Sequence, residues 1–303
     1  MILMAGGTGT LGTRVVERLR ARQLQVRILT RHLERARRLE SEHVEVVVGD
    51  LRDPLAVDRA MTGVRTIISA VQGGFGATDG ATPQSVDGQG NSNLIAAARS
   101  HHVEHFILVS IIDAAPDHPL ELWRMKYQAE QELKASGLSW TIISSAPFME
   151  WAVAQYGDPL IRTGRTWIFG RGEMPINFVS ANDVAGFVEL AVTNPIVRRS
   201  VVKVAGPENL TLNQIVQAVQ ATTATSGTVR HVPLPAMRVM SKLLSPIKPA
   251  LAREVEAGVF LDTVDRKITP TPTRDAYPYP SVPVTRLTDV IRQHAGTPKH
   301  SDA

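Results

Sequence analysis

The chain has 303 residues, 43% of them hydrophobic, with 33 lysines and arginines against 29 acidic residues, a net charge of +4. This composition carries enough apolar material for a sizeable core and excludes a disordered polymer. No cysteine is present, so disulfides, thiolate metal sites, cysteine nucleophiles and iron–sulfur clusters are excluded, and no apolar run is long enough for a membrane span.

Ile2 to Ala5 is a short apolar run suited to a buried strand, and it leads straight into Gly6-Gly7-Thr8-Gly9-Thr10-Leu11-Gly12. With no basic leader or cleavage site ahead of it, the expected location is the cytoplasm. Val15, Val16 and Leu19 then repeat at helical spacing. Strand, glycine-rich turn and helix in that order make a dinucleotide-binding candidate, read as Gly7-x-Gly9-x-x-Gly12 or Gly6-x-x-Gly9-x-x-Gly12. Free N–H groups and the helix dipole at such a turn favour an anionic pyrophosphate.

Val26 to Thr30 reads as the second strand. A site that prefers NAD ends this strand with a carboxylate for the ribose 2′-hydroxyl, about 20 residues after the loop. Here the chain offers Thr30 and Arg31, and a guanidinium suits a 2′-phosphate. Arg14, two residues past the last loop glycine, adds a second cation. The expected cofactor is therefore NADP rather than NAD. Residues 14–38 hold nine arginines and two glutamates, a local charge of +7 that leaves −3 for the remainder. No aromatic residue is interleaved with these arginines, so they fit a phosphorylated cofactor better than a nucleic acid.

Val44 to Val48 is the third strand, ending at Gly49-Asp50, and Asp50 is placed to meet the adenine side of the cofactor or to form a turn. A helix over Leu55–Met61, a strand over Thr66–Val71, a glycine-rich loop over Gln72–Gly80, a helix over Asn93–Arg99 and a strand over Phe106–Ser110 follow. The alternation predicts a doubly wound parallel α/β sheet of Rossmann type, with ligands at the carboxyl ends of its strands. Ala70, Val71, Gln72, Ser110 and Ile111 are then pocket candidates. A helix from Leu122 to Leu133 carries Lys126 and Glu130 at i, i+4, close enough to pair. Trp140 to Ser144 is the sixth strand. His101, His102 and His105 read as a solvated loop rather than metal ligands, and no Gly-x-Ser-x-Gly elbow marks a hydrolase.

In the C-terminal part, strands are expected at Ile176–Val179 and Val201–Val204, flanking a helix over Val184–Val192 capped by Asn182-Asp183. Further helices are expected from Thr211 to Val219, Met237 to Leu244, Ala250 to Leu261 and Val284 to Ile291. An extended segment is expected at His231–Leu234, and a proline-rich strap from Thr269 to Pro283. Met237, Met240, Leu243 and Leu244 are expected to form core or a lid. The division expected is a cofactor lobe over residues 1–152, a smaller substrate lobe over 153–290 that interleaves with the sheet, and a frayed tail over 291–303.

Gly6 to Gly12, Leu29-Thr30-Arg31, Gly49-Asp50-Leu51, Ile68-Ser69-Ala70, Pro147-Phe148-Met149-Glu150, Phe178 to Ala185 and Gly206 to Thr211 together resemble the NmrA-like atypical short-chain dehydrogenases/reductases. The resemblance covers roughly residues 1–260. It implies an NAD(P)-binding Rossmann lobe, with Leu51, Pro147 and Phe148 added to the cofactor site. Typical members of the wider group place a tyrosine four residues before the active lysine. Here that position is Leu122, and Tyr127 points about 100° away from Lys126 on the helix. The resemblance leaves three readings. Lys126 acts as general acid or orients the nicotinamide ribose; or hydride passes to a quinone-like or conjugated acceptor with protons from solvent; or the protein senses NADP without turnover and regulates a protein partner.

Overall fold

The computed structural model describes residues 1–73, 80–268 and 284–296. In chain order its elements are β1 (Ile2–Ala5), α1 (Thr10–Ala21), β2 (Val26–Thr30), α2 (Leu33–Arg37), β3 (Val44–Val48), α3 (Pro54–Ala60) and β4 (Thr66–Ser69). A π-helical stretch, Gln84–Gly90, runs into α4 (Asn91–Ser100), followed by β5 (His105–Ile111), α5 (Glu121–Ala135) and β6 (Trp140–Ser145). Then come α6 (Met149–Ala152), a second π-helical turn (Val153–Gly157), α7 (Asp158–Thr163), β7 (Arg165–Phe169), β8 (Ile176–Phe178), α8 (Ala181–Thr193) and β9 (Ser200–Val204). The chain continues through β10 (Glu208–Leu210), α9 (Leu212–Thr223), β11 (Thr228–Val232), α10 (Leu234–Leu244), α11 (Pro249–Thr263) and α12 (Leu287–Gly296).

The chain divides into two compact units: Met1–Ser145 with Val184–Val204, and Ala146–Asp183 with the described residues from Ala205 onward. The first unit is built on a seven-stranded sheet in the order β3-β2-β1-β4-β5-β6-β9, every pair parallel. Parallel strands covered by helices on both faces must be apolar on both faces. Accordingly Leu3, Met4, Ile28, Ile67, Ile68, Ile107, Leu108, Ile142 and Ile143 are fully buried. β1 lies in the middle with β2 on one side and β4 on the other, so chain order reverses there. That is the switch point at which such sheets take ligands. The expected α/β Rossmann-like fold is thus present.

Several elements differ from expectation. Val201–Val204 belongs to the main sheet as β9, paired with β6, because a parallel partner needs a crossover and α8 supplies it. Grouping by contacts therefore returns Val184–Val204 to the first unit and starts the second at Ala146, where the sequence drew one boundary at residue 152. The helix expected at Asn93 starts earlier and grows out of Gln84–Gly90. Two glycines hid that stretch, since glycine has poor helix propensity, but the fold needs them small: a methyl on Gly90 would overlap the Leu51 side chain.

The second unit has its own core of Met149, Val153, Tyr156, Leu160, Ile168, Phe178, Ile215, Val216, Val219 and Ile291. β7 pairs with β11 in parallel and β8 with β10 antiparallel. Asp183 is no helix cap: its carboxylate accepts from the N–H and hydroxyl of Thr285, at 2.7 and 2.5 Å, and α8 begins before it at Ala181. Pro235 sits in the first turn of α10 rather than closing a strand, since its missing N–H costs nothing there. Met237 is core, whereas Leu243 is exposed. The last helix lies over Leu287–Gly296, a few residues beyond the expected Val284–Ile291. The proline-rich strap, residues 297–303 of the tail and most of the glycine-rich loop after β4 lie outside the described residues. Among the described residues no helix is long and apolar enough to cross a membrane.

Candidate cofactor site

The glycine turn leaves β1 at the switch point. Gly6 has φ +85° and lies so close to the next strand that a Cβ would stand 2.5 Å from the Ala70 carbonyl oxygen. A Cβ on Gly12 would stand 2.0 Å from the Gly6 carbonyl oxygen. Both positions are glycine because the fold demands it. Gly9 differs. It is exposed, with φ −81°, and the nearest atom to an added Cβ is 3.4 Å away, so its own surroundings would accept a methyl. The bare side of Gly9 faces outward at the start of α1. That helix has no side-chain cap and no acidic residue in its first turn. Its N-terminal N–H groups and positive dipole end are thus presented to an anion, which fits a pyrophosphate. Thr8 and Thr10 flank Gly9 at the surface, and Leu11 turns inward to pack. Arg14, one turn on, donates to the Thr10 carbonyl at 2.6 Å.

Next to this turn, β2 ends at Thr30 and the chain continues through Arg31. The Gly49 N–H donates to the Thr30 carbonyl at 2.9 Å, which brings Asp50 to the same edge. Arg52 grips Asp50 through its backbone N–H (2.9 Å), Nε (3.0 Å) and Nη2 (2.6 Å). Partial burial raises the Asp50 pKa, but the Arg52 hydrogen bonds and the charges of Arg52 and Arg31 outweigh it and hold the carboxyl below its ordinary value. The Arg52 guanidinium thus holds this carboxylate, and the charge of Arg31 adds to its hold. Leu51 is a packing residue. Its side chain covers Gly90, and its carbonyl accepts from Asn93 Nδ2 at 2.9 Å.

Ala70 continues the sheet by donating to the Ala5 carbonyl at 3.0 Å, Val71 is buried and Gln72 is exposed. Beside them stands Lys126. α5 buries Leu122, Trp123, Lys126, Ala129, Glu130 and Leu133 along one face. Lys126 Nζ meets three oxygens: the Val71 carbonyl at 2.7 Å, the Val109 carbonyl at 3.1 Å and Asp87 Oδ1 at 3.0 Å. Two of these contacts are hydrogen bonds, to the Val71 and Val109 carbonyls, and the third is an ion pair in which Asp87 Oδ1 accepts no hydrogen bond. Asp87 is fully buried, and its second oxygen accepts from the Gly73 N–H at 2.7 Å. Burial holds its carboxyl above the ordinary value, against the opposing pull of Lys126 and the Gly73 N–H.

Lys126 and Glu130, close enough to pair at i, i+4, do not do so. Glu130 instead accepts from Ser110 Oγ at 2.5 Å and lies 3.4 Å from Lys134, because the buried face of α5 turns Glu130 toward β5. Sequence reasoning missed Asp87, and also Asn91, which accepts from Ser69 Oγ at 2.6 Å and donates to the Asp87 carbonyl at 2.8 Å. Their one signal was a carboxylate and an amide within a stretch too small and polar to read as helix. Pro147 and Phe148 open the second unit, where the Pro147 carbonyl accepts from the Val179 N–H at 2.9 Å and Phe148 bridges to Val179. The histidines are separately engaged: His101 Nε2 with Asp58 at 2.8 Å, and buried His105 Nε2 with Thr141 Oγ1 at 2.9 Å.

The profile of the NAD(P)H-binding family matches residues 6–195, from the glycine turn to just past α8. The chain belongs to this family. The NAD(P)H azoreductase of Xenophilus azovorans is 31% identical over 232 residues, covering 77% of this chain and 76% of that protein. Photosystem II assembly factor Ycf39 of a Synechocystis strain is 29% identical over 239 residues, covering 79% and 72%. Among solved structures, Citrobacter triphenylmethane reductase complexed with NADP(H) superimposes with a TM-score of 0.77 at 18% identity, covering 96% of this chain and 99% of that one. Family membership bears out the resemblance drawn from the motifs. The glycine turn lies inside the matched segment, and so do Arg31, Asp87 and Lys126.

Proposed function

We propose that this family member is an NADPH-dependent reductase acting in the cytoplasm on a small quinone-like or otherwise conjugated acceptor. The observation that carries the reading is the contrast at one edge of the sheet. The start of α1 is open to a phosphate at Gly9, while Lys126 donates to two protein carbonyls and pairs with buried Asp87. When bound, the nicotinamide supplies a hydride. The protein then has to bind and to orient. The turn from Gly6 to Gly12 and the first turn of α1 hold the pyrophosphate. Arg31, with Arg14 two residues past the last loop glycine, takes the 2′-phosphate. Asp50 serves the adenosine side, and Ala70, Val71, Gln72 and Ser110 form the strand-end wall. Pro147 and Phe148 complete the cofactor set that the family motif assigns.

Lys126 ties the end of β4 to β5 and, through Asp87, fixes the start of the following loop. Held by two carbonyls and paired with the buried Asp87 carboxylate, it serves as a positioning residue and delivers no proton. An acceptor whose reduced form draws its proton from solvent suits this arrangement. The relative named as an NAD(P)H azoreductase supports it, because an azo compound takes hydride into a conjugated system. Incubation with NADPH and a panel of quinones and azo compounds tests the reading. Acceptor-dependent oxidation of NADPH in preference to NADH is expected, and its absence across the panel contradicts it.

A second reading, an NADP-responsive regulator or scaffold for a protein partner, is favoured by two observations. Leu122 stands where a proton-donating tyrosine would be, and one relative is named as an assembly factor. Tight NADPH binding without turnover, with capture of a partner that depends on NADPH, would select it.

A further inference from the structure

α10 is apolar on two faces. One packs on α11: Met237 is fully buried against Gly258, and Ser241 donates to Glu256 Oε1 at 3.2 Å. The opposite face carries Val239 and Leu243, exposed at 59% and 66%. Ile247 in the turn after α10, 74% exposed, and Leu251 at the start of α11, 39% exposed, are further exposed apolar side chains. Such a run of large exposed apolar side chains has no role in the unit's own core. Residues 234–253 also contain Arg238, Lys242, Lys248 and Arg253 and no acidic residue. At 100° per residue, Lys242 and Arg238 border the Val239–Leu243 stripe on one side. An exposed apolar strip edged by cations on a helix too short to span is the pattern of a segment that lies in a bilayer interface. Its apolar side chains enter the acyl boundary, and its cations meet lipid phosphates.

We propose that α10 and the turn after it dock the protein on an anionic lipid bilayer surface, with Val239, Leu243 and Ile247 inserted and Arg238, Lys242 and Lys248 at the headgroups. The proposal stands on this surface alone and does not depend on the acceptor.

Co-sedimentation of the full chain with phosphatidylcholine vesicles, and with equimolar phosphatidylcholine and phosphatidylglycerol vesicles, tests it. Three cations at an anionic surface predict about a hundredfold stronger partitioning onto the second kind, weakened by salt. Leu243→Glu with Ile247→Glu is expected to abolish binding. Lys242→Gln with Lys248→Gln, two exposed changes that leave the core intact, is expected to lower it at least about tenfold while the melting temperature stays the same. Equal partitioning onto both vesicles, or binding unchanged in the lysine variant, overturns the proposal. So does a dimer, seen by sedimentation without lipid, that the leucine–isoleucine variant dissolves. A raised KM for acceptor in the lysine variant with vesicle binding intact would instead make this segment a lid over the substrate, and also overturns it.

Discussion

Two groups of backbone and side-chain atoms at the carboxyl edge of the same sheet are treated in opposite ways. At the glycine turn, the helix start has no side-chain cap, and Gly9 is bare where its own surroundings would allow a methyl. Around Lys126, two carbonyls accept from the ammonium and buried Asp87 pairs with it, while the second Asp87 oxygen accepts from the Gly73 N–H. An open polar end costs stability unless something outside the fold completes it, whereas a closed buried cluster completes itself. The difference locates binding at the first and rigidity at the second.

The largest effect should come from opening the closed cluster. Lys126→Met leaves Asp87 buried without its cation, and Asp87→Leu does the reverse. Each is expected to lower stability by about 3–5 kcal/mol in chemical denaturation. The double variant should recover a substantial part, because neither charge is then left alone. If the single changes leave stability intact and only abolish turnover, Lys126 is a catalytic acid and the contrast fails.

Arg31→Glu should come next. It replaces a charge-assisted phosphate contact by repulsion, and the NADPH-to-NADH affinity ratio is expected to fall roughly a hundredfold in a titration. An unchanged ratio would remove Arg31 from the 2′-phosphate.

The other end of the sheet supplies a control. His105 is pushed down to about 4, first by burial and then by the charge of Arg198. Thr141 Oγ1 donates to the Val197 carbonyl, so it accepts from the histidine Nε2–H, and burial keeps that ring neutral. The unfolded chain regains an ordinary histidine and binds more protons in this range. Stability should therefore be complete above pH 6.5 and decline as pH falls from 6.5 toward about 4, by about 2 kcal/mol. His105→Gln should flatten that decline without touching cofactor binding.

Gly9→Ala is the smallest change and the sharpest. It should weaken NADPH by about tenfold, about 1.4 kcal/mol, with no loss of melting temperature. A loss of stability with affinity retained would make Gly9 structural like Gly6 and Gly12.

Most of the first unit could be read from the chain because strands that are buried on both faces announce themselves as runs such as Ile2–Ala5 and Phe106–Ser110. The glycine turn was legible for the same reason: it joins a patterned strand to a patterned helix. The Lys126 cluster was not legible. Its partners Asp87, Val71 and Val109 are distant in sequence, and two of them act through carbonyl oxygens that any residue carries. The local i, i+4 rule pointed to Glu130, and the tertiary direction of α5 overrode it. The stretch Gln84–Gly90 was hidden because its glycines serve close packing rather than helix propensity.

A single turnover distinguishes a reductase whose lysine only positions from every rival. Protein loaded with NADPH is mixed with a quinone or azo acceptor, and the loss of reduced-nicotinamide absorbance is followed. Protein-dependent oxidation is expected at a rate that does not vary with pH across the neutral range, since no side chain delivers the proton. NADPH that stays bound and reduced with every acceptor would contradict this and leave the protein a cofactor-responsive regulator.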